Sequence, residues 1–183
     1  DVSTWADSSS NGIDMVQADD AERPAYNSST GALTFDADDK NNLQSTGQIS
    51  IGGDFTLGIK MFPNTTNGTF LADNTTANEL FKISSDSSIS IKIDGGTAVL
   101  SLDSNEFGDD YVVLTRVSDL FTLHQNGVAQ TGTVSLTGTI DIDAIGIRRT
   151  DVNGFIGDIK EIQIYSSSDA TLTSRINARL ATL

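Results

Sequence analysis

Apolar residues recur at every second position over most of this chain. In GALTF (residues 31–35) Leu33 and Phe35 fall on one side of an extended backbone. In DFTLGIKMF (54–62) Phe55, Leu57, Ile59 and Met61 do the same, and in SISIKI (88–93) Ile89, Ile91 and Ile93. Successive side chains of a strand point to opposite faces, so this period of two predicts strands with one buried face. LFKI (80–83), TAVLSL (97–102), YVVLTRV (111–117), LFTLHQ (120–125), TIDIDAIGIRR (139–149) and GFIGDIKEIQIY (154–165) extend the series. Asp94-Gly95-Gly96, Ser118-Asp119 and Asn126-Gly127 stand between consecutive runs. Such pairs suit tight hairpins, because they tolerate positive φ. Strands at about ten-residue intervals predict an all-β, two-sheet antiparallel jelly-roll sandwich.

Only the C-terminus departs from this period. In DATLTSRINARLATL (169–183) Leu172, Ile176, Leu180 and Leu183 follow helical spacing, with Thr171 or Thr173 as the expected N-cap. No linker, repeat or charge block interrupts the chain, so residues 1–183 read as one domain. The first residue is Asp1, not Met, and the expectation is a piece of a larger or processed protein.

Composition narrows the partners. The chain has 21 Asp and 4 Glu, and its formal net charge is -14. Asp favours turns and Glu favours helices, so the skew agrees with a turn-rich β protein. Nucleic acid and anionic membrane surfaces are excluded as partners, since both require Lys and Arg. No apolar run approaches the ~18 residues of a membrane-spanning helix. There is no Cys, and His124 is the only imidazole, which removes disulfides, thiolates and His-cluster metal sites.

Two segments carry a resemblance. The first is VSTWADSSSNGIDMVQADDAERPAY followed by LTFDADDKNNL, and the second is IDAIGIRRTDVNGFIGDIKEIQIYSSSDATLTSRINARLATL. Together they resemble the concanavalin A-like lectin/glucanase superfamily in its laminin G-like branch. That branch shows W-x-D-x-S-x-x-G near the start, then R-P-x-Y and an F-D-G turn, and closes on N-G-F-x-G-x-I-x-E-I-x-I-Y and a short helix. Ala37 replaces the glycine of the F-D-G turn. The resemblance implies a jelly roll with a short C-terminal helix. It also implies a module of virion, adhesin or secreted proteins, on a virion surface or otherwise extracellular. Such modules bind a glycan or cell-surface polysaccharide, or pack against other virion or surface subunits.

Candidate chemistry follows from this. Glucanases need two carboxylates flanking the scissile bond, and Asp141 and Asp143 are the nearest pair. The pattern is incomplete, because Ile145 and Ile147 occupy the next same-face positions and no Trp or Tyr is close. His124 sits at a strand end, without the Gly-x-Ser-x-Gly elbow of a hydrolase. The expectation is a non-catalytic module. For a structural calcium ion, Asp7, Ser9 and Asn11 alternate before Gly12 with the spacing of an oxygen-donor loop. Ala18 stands where an EF-hand needs Glu, so the alternatives are an Asx/Ser turn or a non-EF loop that borrows Asp14 or Asp19. Asp158 is a second metal candidate, because the apolar phase slips between Ile159 and Ile162 as a β-bulge would make it. Trp5 reads as core or as a sugar platform. Tyr26, after Pro24, and Asn126 and Asn153, each beside a glycine, are the ligand-binding candidates. Asn64, Asn67 and Asn74 carry Asn-x-Thr sequons.

Overall fold

A computed structural model describes residues 1–36, 40–75, 79–103, 106–147 and 153–183, with the side chain of Thr46 also outside the description. In chain order the elements are β1 (Thr4–Trp5), β2 (Met15–Val16), a 3-10 turn (Asp20–Glu22), β3 (Ala25–Asn27), β4 (Ala32–Phe35), β5 (Leu43–Ile51), β6 (Phe55–Pro63) and β7 (Gly68–Ala72). They continue with β8 (Leu80–Ser85), β9 (Ser88–Ile93), β10 (Gly96–Ser101), β11 (Asp110–Val117), β12 (Leu120–Gln125), β13 (Val128–Ser135), β14 (Ile140–Ile145), β15 (Gly157–Tyr165) and α1 (Ala170–Leu180). One sheet runs β1-β2-β5-β14-β7-β8-β9-β10, the other β13-β12-β11-β6-β15-β4-β3, and every ladder between these strands is antiparallel.

The alternation buries what it predicts. Phe55, Leu57, Ile59 and Met61 of β6 are fully buried between the sheets, as are Ile89, Ile91 and Ile93 of β9. Phe55 meets Phe121 edge-on at 5.6 Å and Phe81 at 6.2 Å. Trp5 is half-buried against this core. A charged side chain lies between the core phenylalanines. Arg116 has no exposed surface, and its guanidinium donates to the Ile51, Gly53 and Gly138 carbonyls while lying over the rings of Phe55 and Phe121.

All three sequence-marked turns are two-residue hairpins with positive φ at both central residues: Asp94-Gly95, Ser118-Asp119 and Asn126-Gly127. Ser118-Asp119 has no glycine to ease that geometry, and the Asp54 carboxylate accepts the Ser118 N–H at 2.8 Å. The phase slip after Ile159 is a bulge, for Ile159 pairs with Met61 and Glu161 with Lys60. The F-D-G-like turn at Ala37 lies outside the described residues.

The helix N-cap differs from expectation. Asp169 occupies it and accepts the Leu172 N–H at 2.8 Å. Thr171 is inside the helix, and so is Thr173, whose hydroxyl donates back to the Asp169 carbonyl. Any of Asp, Ser or Thr can cap, so the choice depends on where the chain turns back after β15. The helix lies on the outer face of the seven-stranded sheet, with Ile176 and Leu180 against Val113. Gly58 leaves room for it, since a Cβ there would overlap Ile176.

Candidate functional site

Strand registers bring several connections to one end of the sandwich. Pro63 pairs with Gly157, Met61 with Asp110, Val112 with Gln125, and Gly68 with Ile83. The connection from β6 to β7, the β8–β9 turn, the segment entering β11, the Asn126-Gly127 hairpin and the segment entering β15 therefore converge there. Between the first three lies an open groove. Its deeper part, about 470 Å3, is lined by Pro63, Asn64, Thr65, Thr66, Ile83, Asp86, Glu106 and Phe107. It continues over Ser84, Ser85 and Ser87. Backbone bonds hold the walls, with Phe107 N–H on the Asp86 carbonyl at 2.7 Å and Leu102 N–H on the Ser87 carbonyl at 2.8 Å. Asp86 and Glu106 are exposed.

A hydrogen-bonded chain lies next in sequence to the lining residues Thr66 and Ile83. Asn67 Nδ2 donates to Asn153 Oδ1 at 2.8 Å, and Lys82 Nζ donates to Asn67 Oδ1 at 2.9 Å. The Asn153 carbonyl accepts Thr69 N–H, and Asn153 itself is left-handed, φ 56°. Beneath them the Thr69 hydroxyl is buried without a hydrogen-bond partner.

None of the three ligand-binding candidates lines the groove, and Asn153 connects to it only through Asn67, next in sequence to the lining residue Thr66. Asn126 lies at the same end, but its amide clasps its own hairpin. Its Oδ1 accepts Tyr111 N–H at 3.2 Å, and its Nδ2 donates to Asp110 Oδ1. Tyr26 sits on β3, at the opposite flank of the sheet from Asn126, with 57% of its surface exposed. Of the groove residues only Asn64, as a sequon, was marked by motif reading. They come from three separate connections and show no spacing in the chain.

The metal candidates can be tested for fit. Asp7 accepts Ser9 N–H at 2.7 Å, the Ser9 hydroxyl at 2.8 Å and Ile13 N–H at 3.0 Å. The Ser9 hydroxyl oxygen in turn accepts Asn11 N–H, and Asp14 accepts Asp7 N–H. The backbone bonds from Ile13 and Ser9, with the Ser9 hydroxyl, hold the Asp7 carboxyl below its ordinary range. The stretch is an Asx turn closed by Gly12 at φ 66°, and it gathers N–H donors where a calcium ion wants oxygens. Asp158 accepts the Thr34 hydroxyl at 2.6 Å on the outer sheet face, two residues before the bulge at Lys160. Among the described residues no three Asp, Glu or His side chains gather as a metal site. At either place a calcium cage would have to complete its oxygens from backbone carbonyls, Ser or Asn side chains, or water.

The catalytic alternatives are equally constrained. Asp143 stands where the β5–β14 register shifts, and its carboxylate anchors a loop by accepting Asn74 N–H and the Thr75 hydroxyl. Asp141 pairs with Ser50 in the ladder. His124 lies at the end of β12, between Val113 and Ala129 on the neighbouring strands, where burial lowers its pKa.

Comparisons with solved structures place the fold. The chain aligns with domains LG4-5 of the mouse laminin α1 chain at TM-score 0.54 and 11% identity, covering 79% of this chain and 44% of that one. It aligns with the Trypanosoma rangeli sialidase, in a complex with sialic acid, at TM-score 0.60 and 13% identity, over 98% and 31%. It aligns with domain 4 of AbnA, a GH43 extracellular arabinanase from Geobacillus stearothermophilus in complex with arabinotriose, at TM-score 0.58 and 15% identity, over 86% and 80%. The chain thus spans less than half of the laminin and sialidase chains. No protein-family model and no curated protein sequence matches it. The architecture is the concanavalin A-like sandwich, as the motif resemblance implied.

Proposed function

We propose that this chain is a non-catalytic carbohydrate-recognition module of a virion-surface or other extracellular protein, with its glycan seated in the end groove. The observation that carries the reading is the groove's composition. Thr65, Thr66, Ser84, Ser85 and Ser87, the acids Asp86 and Glu106, and the half-buried Phe107 line one concavity. Sugar hydroxyls are recognised by such convergent polar groups beside an apolar surface. The arabinotriose complex of AbnA domain 4 shows that this architecture can hold an oligosaccharide. Hydrolysis is disfavoured, because both groove carboxylates are exposed and share one environment, where acid and base roles call for two different ones.

A glycan array, run with calcium and with chelator, tests the proposal. Binding should select one class of glycan. It should fall at least about tenfold, or about 1.4 kcal/mol, in Thr66→Ala and in Glu106→Gln, without a change in melting. An array on which nothing binds would overturn the reading and leave a structural role in virion decoration or fibre assembly. Release of reducing sugar by the purified chain would overturn its non-catalytic part.

A further inference from the structure

We infer that the end groove selects cationic sugars. It takes a glycan with a free amine beside Asp86 and Glu106, prefers it to the N-acetylated counterpart, and rejects carboxylated and sulfated glycans. The inference rests on the reading of the groove as a glycan site and names the class that site holds.

The two acids stand apart because the fold does not use their carboxylates. Elsewhere acids serve the backbone. Asp54 accepts Ser118 N–H, Asp94 accepts Thr139 N–H, Asp103 accepts Thr131 N–H, Asp110 accepts Gly108 N–H and Asp143 accepts Asn74 N–H. At Asp86 and Glu106 it is the main-chain carbonyls that accept, from Phe107 N–H at 2.7 Å and from the Gln125 amide at 3.5 Å. Neither carboxylate has a hydrogen-bond or ion-pair partner among the described residues.

The Phe107–Asp86 bond also brings the two acids together, since Glu106 precedes Phe107 in the chain. Both line the deeper part of the groove and its continuation. No Lys, Arg or His stands among the lining residues. Lys82, next to the lining residue Ile83, commits its ammonium to Asn67 Oδ1 at 2.9 Å. Two like charges thus share one concavity without a counter-charge, in a chain whose net charge is -14. A cleft lined by one sign concentrates the potential and draws the opposite charge.

The bound state sharpens the choice. A sugar that enters displaces water from both carboxylates. Sugar hydroxyls can donate to them but leave their mutual repulsion in place. An ammonium group offers three donors and cancels charge, and charge-assisted hydrogen bonds are the stronger kind. N-acetylation removes the charge and leaves one N–H. A carboxylate or sulfate sets a like charge against both acids, which suppresses binding. Thr65, Thr66, Ser84, Ser85 and Ser87 remain for the sugar hydroxyls in every case.

Isothermal titration of the whole chain tests this, at low salt and about pH 6, where amines and carboxylates are both charged. The probes are a glucosamine oligomer, an N-acetylglucosamine oligomer of the same length and a galacturonate oligomer. The glucosamine oligomer should bind roughly tenfold more tightly than its acetylated counterpart, since each exposed ion pair adds only about a few-fold. Added salt should narrow that gap. The galacturonate oligomer should not bind. In Asp86→Asn/Glu106→Gln the first two probes should bind within about twofold of each other, with melting unchanged. Asp20→Asn/Asp119→Asn removes the same charge from the 3-10 turn and from the hairpin at the far end of β11, and should keep the preference. That arm separates the groove from a general attraction to an acidic surface. Equal or tighter binding of the acetylated oligomer, binding of galacturonate, a preference that survives Asp86→Asn/Glu106→Gln, or one lost in Asp20→Asn/Asp119→Asn would each overturn the inference and leave the glycan reading standing. Silence of all three probes would also overturn it, and only an array on which nothing binds would remove the glycan reading as well.

Discussion

Asn67 and Asn153 are 86 residues apart in the chain, yet their amides meet at 2.8 Å and tie the groove-lining connection from β6 to β7 to the segment entering β15. Asn153 also sits at φ 56°, where Asn and Gly are tolerated and Ala is strained. The two contributions separate by mutation. Asn153→Ala should lose both and cost about 1 to 2 kcal/mol in urea unfolding. Asn153→Gly keeps the backbone and loses only the amide, so it should melt closer to wild type. Both should weaken glycan binding if the groove is the site. Equal unfolding costs for Ala and Gly would show that the left-handed backbone contributes nothing.

Arg116 predicts a larger effect. Its guanidinium satisfies three carbonyls inside the sandwich, and burial lowers its pKa. Arg116→Met fills similar space but leaves those carbonyls unpaired, each a cost of about 1 to 3 kcal/mol. Arg116→Lys keeps the charge, loses the fork and should fall between. Denaturant midpoints of the three proteins should therefore run Arg, Lys, Met. A Met variant as stable as the wild type would show that the carbonyls find water or relax.

Most strands and turns were legible because their causes are local, but β5, whose run is broken by Ser, Thr and Gly, and the short β7 were not. Period-two alternation at Phe55–Met61 and positive-φ pairs such as Asn126-Gly127 need no knowledge of the rest of the chain. The bulge after Ile159 was legible for the same reason, as a slip in phase. Arg116 was not. Its acceptors lie more than 60 residues before it, at Ile51 and Gly53, and more than 20 after it, at Gly138. Asp86 and Glu106 were hidden too, since only the registers of β8 and β11 bring them to one groove. An adjoining glycine drew attention to both Asn153 and Asn126, yet their amides do different work, one meeting Asn67 across two loops and the other serving its own turn.

The helix cap gives a local test. Asp169→Ala removes the acceptor of Leu172 N–H and should cost about 1 kcal/mol. Thr171→Ala, at the position expected from sequence, should cost only a few tenths. Leu180→Ala, under the helix, should cost about 2 to 5 kcal/mol. Thermal melts rank the three, and a Thr171→Ala cost equal to that of Asp169→Ala would place the cap two residues later.

The turn at Asp7 yields the pH prediction. Its carboxyl is held below the ordinary range by N–H bonds present only in the folded chain. A group with a lowered folded-state pKa adds stability above its unfolded pKa and loses it as pH falls through the folded one. The difference in melting temperature between wild type and Asp7→Ala should therefore be constant above pH of about 4, the ordinary carboxylate value, and shrink below it. Calcium supplies the second arm. An ion that binds only the folded state stabilises by about 2.7 kcal/mol at a hundredfold excess over its Kd. Because the Asp7 and Ser9 oxygens already accept N–H bonds, the melting curve should not move between chelator and millimolar calcium. A calcium-dependent rise that disappears in Asp7→Ala would show the turn opening to bind the ion, and one that disappears in Asp158→Ala would place the ion on the outer face of β15.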